Sequence, residues 1–140
     1  MRRLSIHALI TAFSTEVLVD LLVGRLVFGL FAGSLLVPDM TDEEMTAVVK
    51  AVFDTTHYLP WMFMFGMTTT VAGAYLAARL ARRIPYYHGL AMGIIGLVFG
   101  LFFWSDDPVW LDYLGLLLTI PLSLFGSHLA RNRMQALEIL

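Results

Sequence analysis

Three ionisable side chains interrupt the first apolar run of this chain: Glu16, Asp20 and Arg25. A charge at the centre of a bilayer helix costs ~2.5–3.5 kcal/mol, so such groups are expected to face a bundle interior, a water-filled cavity or a partner, where they bind protons, ions or small ligands. Glu16 and Asp20 stand one helical turn apart and share a face, whereas Arg25 is rotated well away, so no intrahelical salt bridge is expected. A first span ending at residue 37 puts Arg25 ~18 Å below its outer end by helical rise, near mid-depth. Thr68, Thr69, Thr70, Thr119 and Ser123 match that depth. The chemistry offered is an arginine that holds an anion beside a carboxylate that exchanges a proton.

His128 falls at the depth of Glu16, which suggests a proton relay. His7 and His88 lie toward the same side and His57 toward the other. A His7–His128 pair has no spacing that supports a haem, so no cofactor is expected. The chain has no cysteine, which excludes disulfides and thiolate chemistry. No zinc spacing, phosphate-cradling glycine loop or nucleophile elbow is present, so neither a metal nor an enzymatic activity is expected. A formal net charge of −2 gives no ground for a nucleic-acid partner.

The elements that must position these groups follow from composition. Of 140 residues, 59% are hydrophobic and 14% charged, and the mean hydropathy is +0.77. A soluble domain is about a quarter charged. A spanning helix needs ~20 mainly apolar residues. Four stretches qualify, at about 17–37 (with a helical lead-in from Leu4), 59–80, 86–104 and 109–130. Alternation typical of barrel strands is missing, so the expectation is an all-α, polytopic membrane four-helix bundle, one transmembrane domain over residues 1–140.

Charge sets the orientation. Arg2, Arg3, Arg79, Arg82, Arg83, Arg131 and Arg133 fall on one side of a four-crossing chain. Asp39, Asp42, Glu43, Glu44, Asp54, Asp106, Asp107 and Asp112 fall on the other, with Lys50 as its only basic residue. Positive residues mark the cytoplasmic side, so a multi-pass inner-membrane protein with both termini in the cytoplasm is expected. Trp61, Trp104 and Trp110 fall at the outer boundary and Tyr86 and Tyr87 at the inner one, as amphipathic rings prefer. Pro121 lies inside the fourth span and should kink it, freeing the Leu117 carbonyl.

Between the first two spans, Thr41 and Glu44 form a capping-box signature, followed by Met45, Val48, Val49, Val52 and Phe53 on one face. This predicts a short extracytoplasmic amphipathic helix at about 42–54, resting on the bundle or the membrane surface, with a lid over an outward site as the alternative. Leu26-Val27-Phe28-Gly29-Leu30-Phe31 recurs as Leu97-Val98-Phe99-Gly100-Leu101-Phe102, and Trp61, Gly66 and Thr70 align with Trp110, Gly115 and Thr119. Two repeated helical hairpins related by an axis along the membrane normal are one reading of that match.

Small residues recur at helical spacing: Gly29 and Gly33, then Gly66 and Gly73, then Gly89, Gly93, Gly96 and Gly100. In lipid such stripes mark close helix packing, either within the chain or against a second copy in a homodimer. The functional expectation is transport or binding of an ion, proton or small anionic ligand at Arg25, Asp20, Glu16 and His128. The alternative is a non-enzymatic accessory subunit whose Arg25 pairs with a carboxylate of a membrane partner.

Overall fold

A computed structural model describes residues 4–54, 57–102 and 109–138. Arg2, Arg3, Trp104, Asp106, Asp107 and Pro108 lie outside the described residues. The fold is all-α, with five helices: α1 Ile6–Ala32, α2 Asp42–Phe53, α3 Tyr58–Ala81, α4 Pro85–Phe102 and α5 Val109–Glu138. Three of them, α1, α4 and α5, are long and apolar enough to cross a membrane, and they mark the chain as a membrane protein. The 24-residue α3 is as long, but Pro60, Gly66, Gly73 and the run Thr68–Thr70 dilute its hydropathy.

The helix ends have local causes. Ser5 caps α1, its Oγ accepting from the Ala8 N–H at 3.3 Å. At the other end α1 stops at Ala32, five residues before the expected limit of 37, and Gly33 to Leu35 form a turn. Tertiary packing fixes this stop: Val27 and Ala32 are buried with Val48 and Val52 of α2 and Tyr58 of α3. Phe28, Phe31 and Phe53 surround the Tyr58 ring with centroids 6.5, 5.6 and 5.1 Å away. The capping box of α2 forms, with Thr41 Oγ1 accepting from the Glu44 N–H at 3.3 Å and the Glu44 carboxylate accepting from the Thr41 N–H at 2.8 Å. Only half of the apolar face of α2 seats on the bundle, because Met45, Val49 and Phe53 stay exposed. The α3–α4 turn is tight, with Arg82 at φ 53° and Ile84 at φ 43° in the left-handed region.

Contacts fix the directions of the long helices. Along the α1–α3 face, Met62 faces Gly24 and Gly73 faces Glu16, so the two helices are antiparallel. Along α3–α5, Phe63 meets Gly115 and Val71 meets Gly126, so these two run parallel. Along α4–α5, Gly89 meets Ser127, Gly93 meets Ile120, Gly96 meets Thr119 and Gly100 meets Leu116, an antiparallel pair. The glycine stripe of α4 therefore faces α5, most closely at Gly89 and Gly93. Gly73 instead makes room for Glu16 of α1, and a Cβ on Gly66 would meet nothing within 4 Å. Gly29 and Gly33 are exposed, and among the described residues a Cβ on either would meet no other helix.

Helices α3, α4 and α5 pack mutually, and α1 lies against α3 and touches α4. Among the described residues α1 meets no part of α5, although α3 and α4 share a broad face. Exchange of the two hairpins about a twofold axis would make those two interfaces alike. The duplicated hexapeptide is thus a match of sequence that this packing does not mirror.

The two ends of the bundle differ in charge. At the α2 end stand Asp39, Asp42, Glu43, Glu44, Asp54 and Asp112, with Lys50. At the other end stand Arg79, Arg82, Arg83, Arg131 and Arg133. Two of these arginines lean on tyrosines: Arg79 on Tyr75 and Arg131 on Tyr86, with guanidinium-to-centroid distances of 6.0 and 5.5 Å.

Candidate functional site

Glu16 and Asp20 project from the face of α1 that meets α3, one turn apart. Glu16 is half-buried and Asp20 stands at the exposed edge. The Glu16 carboxyl lies near the Thr70 side chain and the Asp20 carboxyl near that of Thr69. Residues 6 and 32 bound α1, so its midpoint falls at Val19. By a rise of ~1.5 Å per residue, Asp20 lies within ~2 Å of that midpoint and Glu16 within ~5 Å.

The threonines are held in a particular way. Thr70 Oγ1 donates to the Gly66 carbonyl at 2.9 Å, Thr69 Oγ1 to the same carbonyl at 2.9 Å, and Thr119 Oγ1 to the Gly115 carbonyl at 2.7 Å. A hydroxyl has one proton and two lone pairs. With the proton engaged along its own helix, each of these oxygens presents lone pairs to its other neighbour. A lone pair facing a carboxyl is satisfied by a proton on that carboxyl or by a cation between the two oxygens.

A cavity of about 180 Å³ opens beside these groups, lined by Glu16 and Asp20, by Thr70 and Thr119, and by the rings of Phe13 and Phe99. The two rings meet edge to face with centroids 5.4 Å apart. Glu16 also lines a second cavity of about 100 Å³ between α1 and α3, with Thr15, Thr69 and Gly73. No arginine, lysine or histidine lines either cavity. Among the described residues no three histidine, aspartate or glutamate side chains converge as metal ligands do.

Arg25 and His128 take positions that differ from the sequence reading. Arg25 is exposed on the side of α1 opposite the carboxyls, and the early end of the helix leaves it only seven residues below Ala32. That is ~10 Å from the end of the helix rather than ~18 Å. His128 points to α4: its Nδ1 pairs with the Tyr86 hydroxyl at 2.8 Å and its Nε2 with the Asn132 amide at 2.9 Å. It is exposed, and its hydrogen-bond partners are Tyr86 and Asn132 rather than Glu16.

The histidine that matters to the fold is His88, 1% exposed. Its Nε2 accepts the Ser5 N–H at 2.9 Å and its Nδ1 faces the Ile84 carbonyl at 3.2 Å. An acceptor at Nε2 requires the neutral form protonated at Nδ1, which then donates to Ile84. His88 thus ties the start of α1 to the start of α4. In sequence it is one of four histidines, and only its place beside Gly89, where the helices close in, distinguishes it.

Comparison with known protein families, curated proteins and solved structures finds no match to this chain. The class it belongs to is defined by its own fold and site: a helical membrane protein with a carboxyl pair at the middle of a long apolar helix.

Proposed function

We propose that the chain crosses the membrane four times, with both termini on the cytoplasmic side, and that Glu16 and Asp20 form a cation-binding site within the layer that serves transport. The proton is the simplest occupant. The observation that carries this reading is the place of Glu16 and Asp20, one turn apart near the middle of α1, on a cavity that they line with the Thr70 and Thr119 hydroxyls and, among the described residues, no basic side chain. Such a lining favours a proton or a small cation and disfavours an anion.

The fourth crossing rests on α3. It runs parallel to α5 with Phe63 at Gly115 and Val71 at Gly126, so it traverses the same thickness as a helix apolar enough to span. Its three threonines and two glycines are where lipid-facing leucine would otherwise be expected, and they suit a helix enclosed by three neighbours. The orientation rests on the arginine-rich end opposite α2, because basic residues are retained in the cytoplasm.

The test is proton or cation uptake into vesicles containing the purified protein, together with carbodiimide modification, which adds selectively to protonated carboxyls in apolar surroundings. Glu16→Gln and Asp20→Asn each abolish uptake, and Glu16 is the modified residue in the wild type. Unchanged uptake in both variants defeats the proposal.

Arg25 supports a second reading. It is exposed on an apolar helix face, and a carboxylate from another membrane protein would satisfy it, making this chain an accessory subunit or one half of a homodimer. Loss of a co-purifying partner in Arg25→Glu supports that role. An unchanged complement of bound protein in the same variant removes it.

A further inference from the structure

We infer that cations reach Glu16 and Asp20 from the α2 end of the bundle, past Asp112, through a cleft floored by glycine between α3, α4 and α5. This rests on the reading of Glu16 and Asp20 as a cation site, and it names the direction and the gatekeeper of that site.

A cavity of about 330 Å³ lies above the one that holds the carboxyls, and Asp112, in the first turn of α5, lines its outer part with Leu59 and Leu111. Its inner part is built from Gly66, Met67, Gly96, Gly100 and Thr119, and those five residues also line the carboxyl cavity. The two spaces therefore share walls, and the inferred route runs through that shared boundary from Asp112 to Glu16. Gly66 opens the passage because it faces space that any side chain would occupy. Among the described residues the cavities carry a carboxyl at each end, a hydroxyl oxygen at Thr119 between them and no basic side chain. Carboxylates at a low-dielectric entrance concentrate cations and repel anions.

The opposite end is closed by backbone packing. Gly89 lies against the Ser127 side chain and the Ser123 carbonyl, Gly93 against Ile120 Cα, and Gly126 against the Val71 carbonyl. Ala12, Ala74, Ala77 and Met92 form a buried cluster there, and His88 bridges α1 and α4 below it. A cation entering at Asp112 thus meets Glu16 and stops at close-packed helices, so release to the other side requires α1 to move against α3 and α4.

The natural lack of cysteine makes the test direct. Single-cysteine Thr119→Cys is reacted in sealed vesicles with methanethiosulfonates of similar size, one carrying a trimethylammonium group and one a sulfonate. Reaction proceeds from the face bearing α2 and is blocked from the face bearing Arg82. After normalisation to a cysteine in the α2 helix at Thr46, the cationic reagent is favoured about tenfold, the effect of one carboxylate ~10 Å away in a partly screened site. Asp112→Asn removes that preference and Asp112→Glu keeps it. Reaction from the Arg82 face alone, or equally from both, overturns the route, and an unchanged preference in Asp112→Asn overturns the role of Asp112. Carbodiimide modification of Glu16 in the same vesicles reports the underlying site: modification that persists while sidedness fails defeats the route alone, and absent modification defeats the site.

Discussion

Two glycines that sit against other helices predict opposite outcomes when each is replaced by alanine. A methyl on Gly73 would overlap a carboxylate oxygen of Glu16 and stand 2.8 Å from its Cδ. A methyl on Gly126 would overlap the backbone oxygen of Val71 and stand 3.1 Å from both the Val71 carbonyl carbon and the Tyr75 nitrogen. The first obstacle is the end of a flexible side chain. Turning it aside costs ~0.5–1.5 kcal/mol of rotamer energy, and alanine in a helix returns ~1 kcal/mol over glycine. Gly73→Ala should therefore fold with a stability within about 1 kcal/mol of wild type. Its Glu16 carboxyl leaves Thr70, and carbodiimide modification and cation uptake fall by an order of magnitude or more. The second obstacle is backbone that cannot turn aside, so α3 and α5 must separate. Overpacking of this kind costs about 1–3 kcal/mol. Gly126→Ala should lower the thermal unfolding temperature in mild detergent while Glu16 in the folded fraction still reacts. Equal loss of stability in both variants, or unaltered Glu16 reactivity in Gly73→Ala, refutes the placement of Glu16 against α3.

Four further outcomes follow from the geometry. His88→Ala leaves the Ser5 N–H and Ile84 carbonyl without partners and opens a buried void, and a loss of about 2–4 kcal/mol is expected in chemical unfolding. Thr41→Ala removes the cap of α2 at a cost of about 1 kcal/mol, seen as faster hydrogen exchange confined to residues 42–53. The Thr41 backbone and hydroxyl hold the Glu44 carboxyl below its usual 4.5, so the capping box is complete above that pH and is lost as pH falls through the lowered value; exchange in α2 should rise in acid. Arg82, left-handed at φ 53° at the C-cap of α3, favours glycine, and Arg82→Gly should raise stability by about 1 kcal/mol.

Much of the architecture was legible because lipid imposes simple rules. The limits of α2, α3 and α4 follow from hydropathy, the Thr41–Glu44 box and the prolines at 60 and 85. The shared face of Glu16 and Asp20, with Arg25 turned away, follows from helical geometry alone. The end of α1 did not, because hydropathy continues through Leu35, Leu36 and Val37 while the helix is stopped by the packing of Val27 and Ala32 under α2. That displacement leaves Arg25 seven residues from the end of the helix, and the start at Ile6 places the two carboxyls near its middle. The histidines were equally opaque: depth along the sequence cannot separate His88, sealed between two helix starts, from His128, which faces outward from α5. Thr69 and Thr70 lie beside the carboxyls rather than beside Arg25 because α3 meets α1 at Gly73 and α5 at Gly126.

The closed end of the bundle also determines where this protein tolerates substitution. Its helices touch there main chain to main chain, through Gly89, Gly93 and Gly126 and through alanines and serines, so no compensating change in a neighbouring side chain can accommodate a larger residue. The leucines at 18, 22, 26 and 30, all exposed, answer only to the solvent around them and are interchangeable with any aliphatic residue. A saturation library scored for membrane expression should therefore divide sharply within single helices, with the smallest side chains the least replaceable and the bulkiest the most.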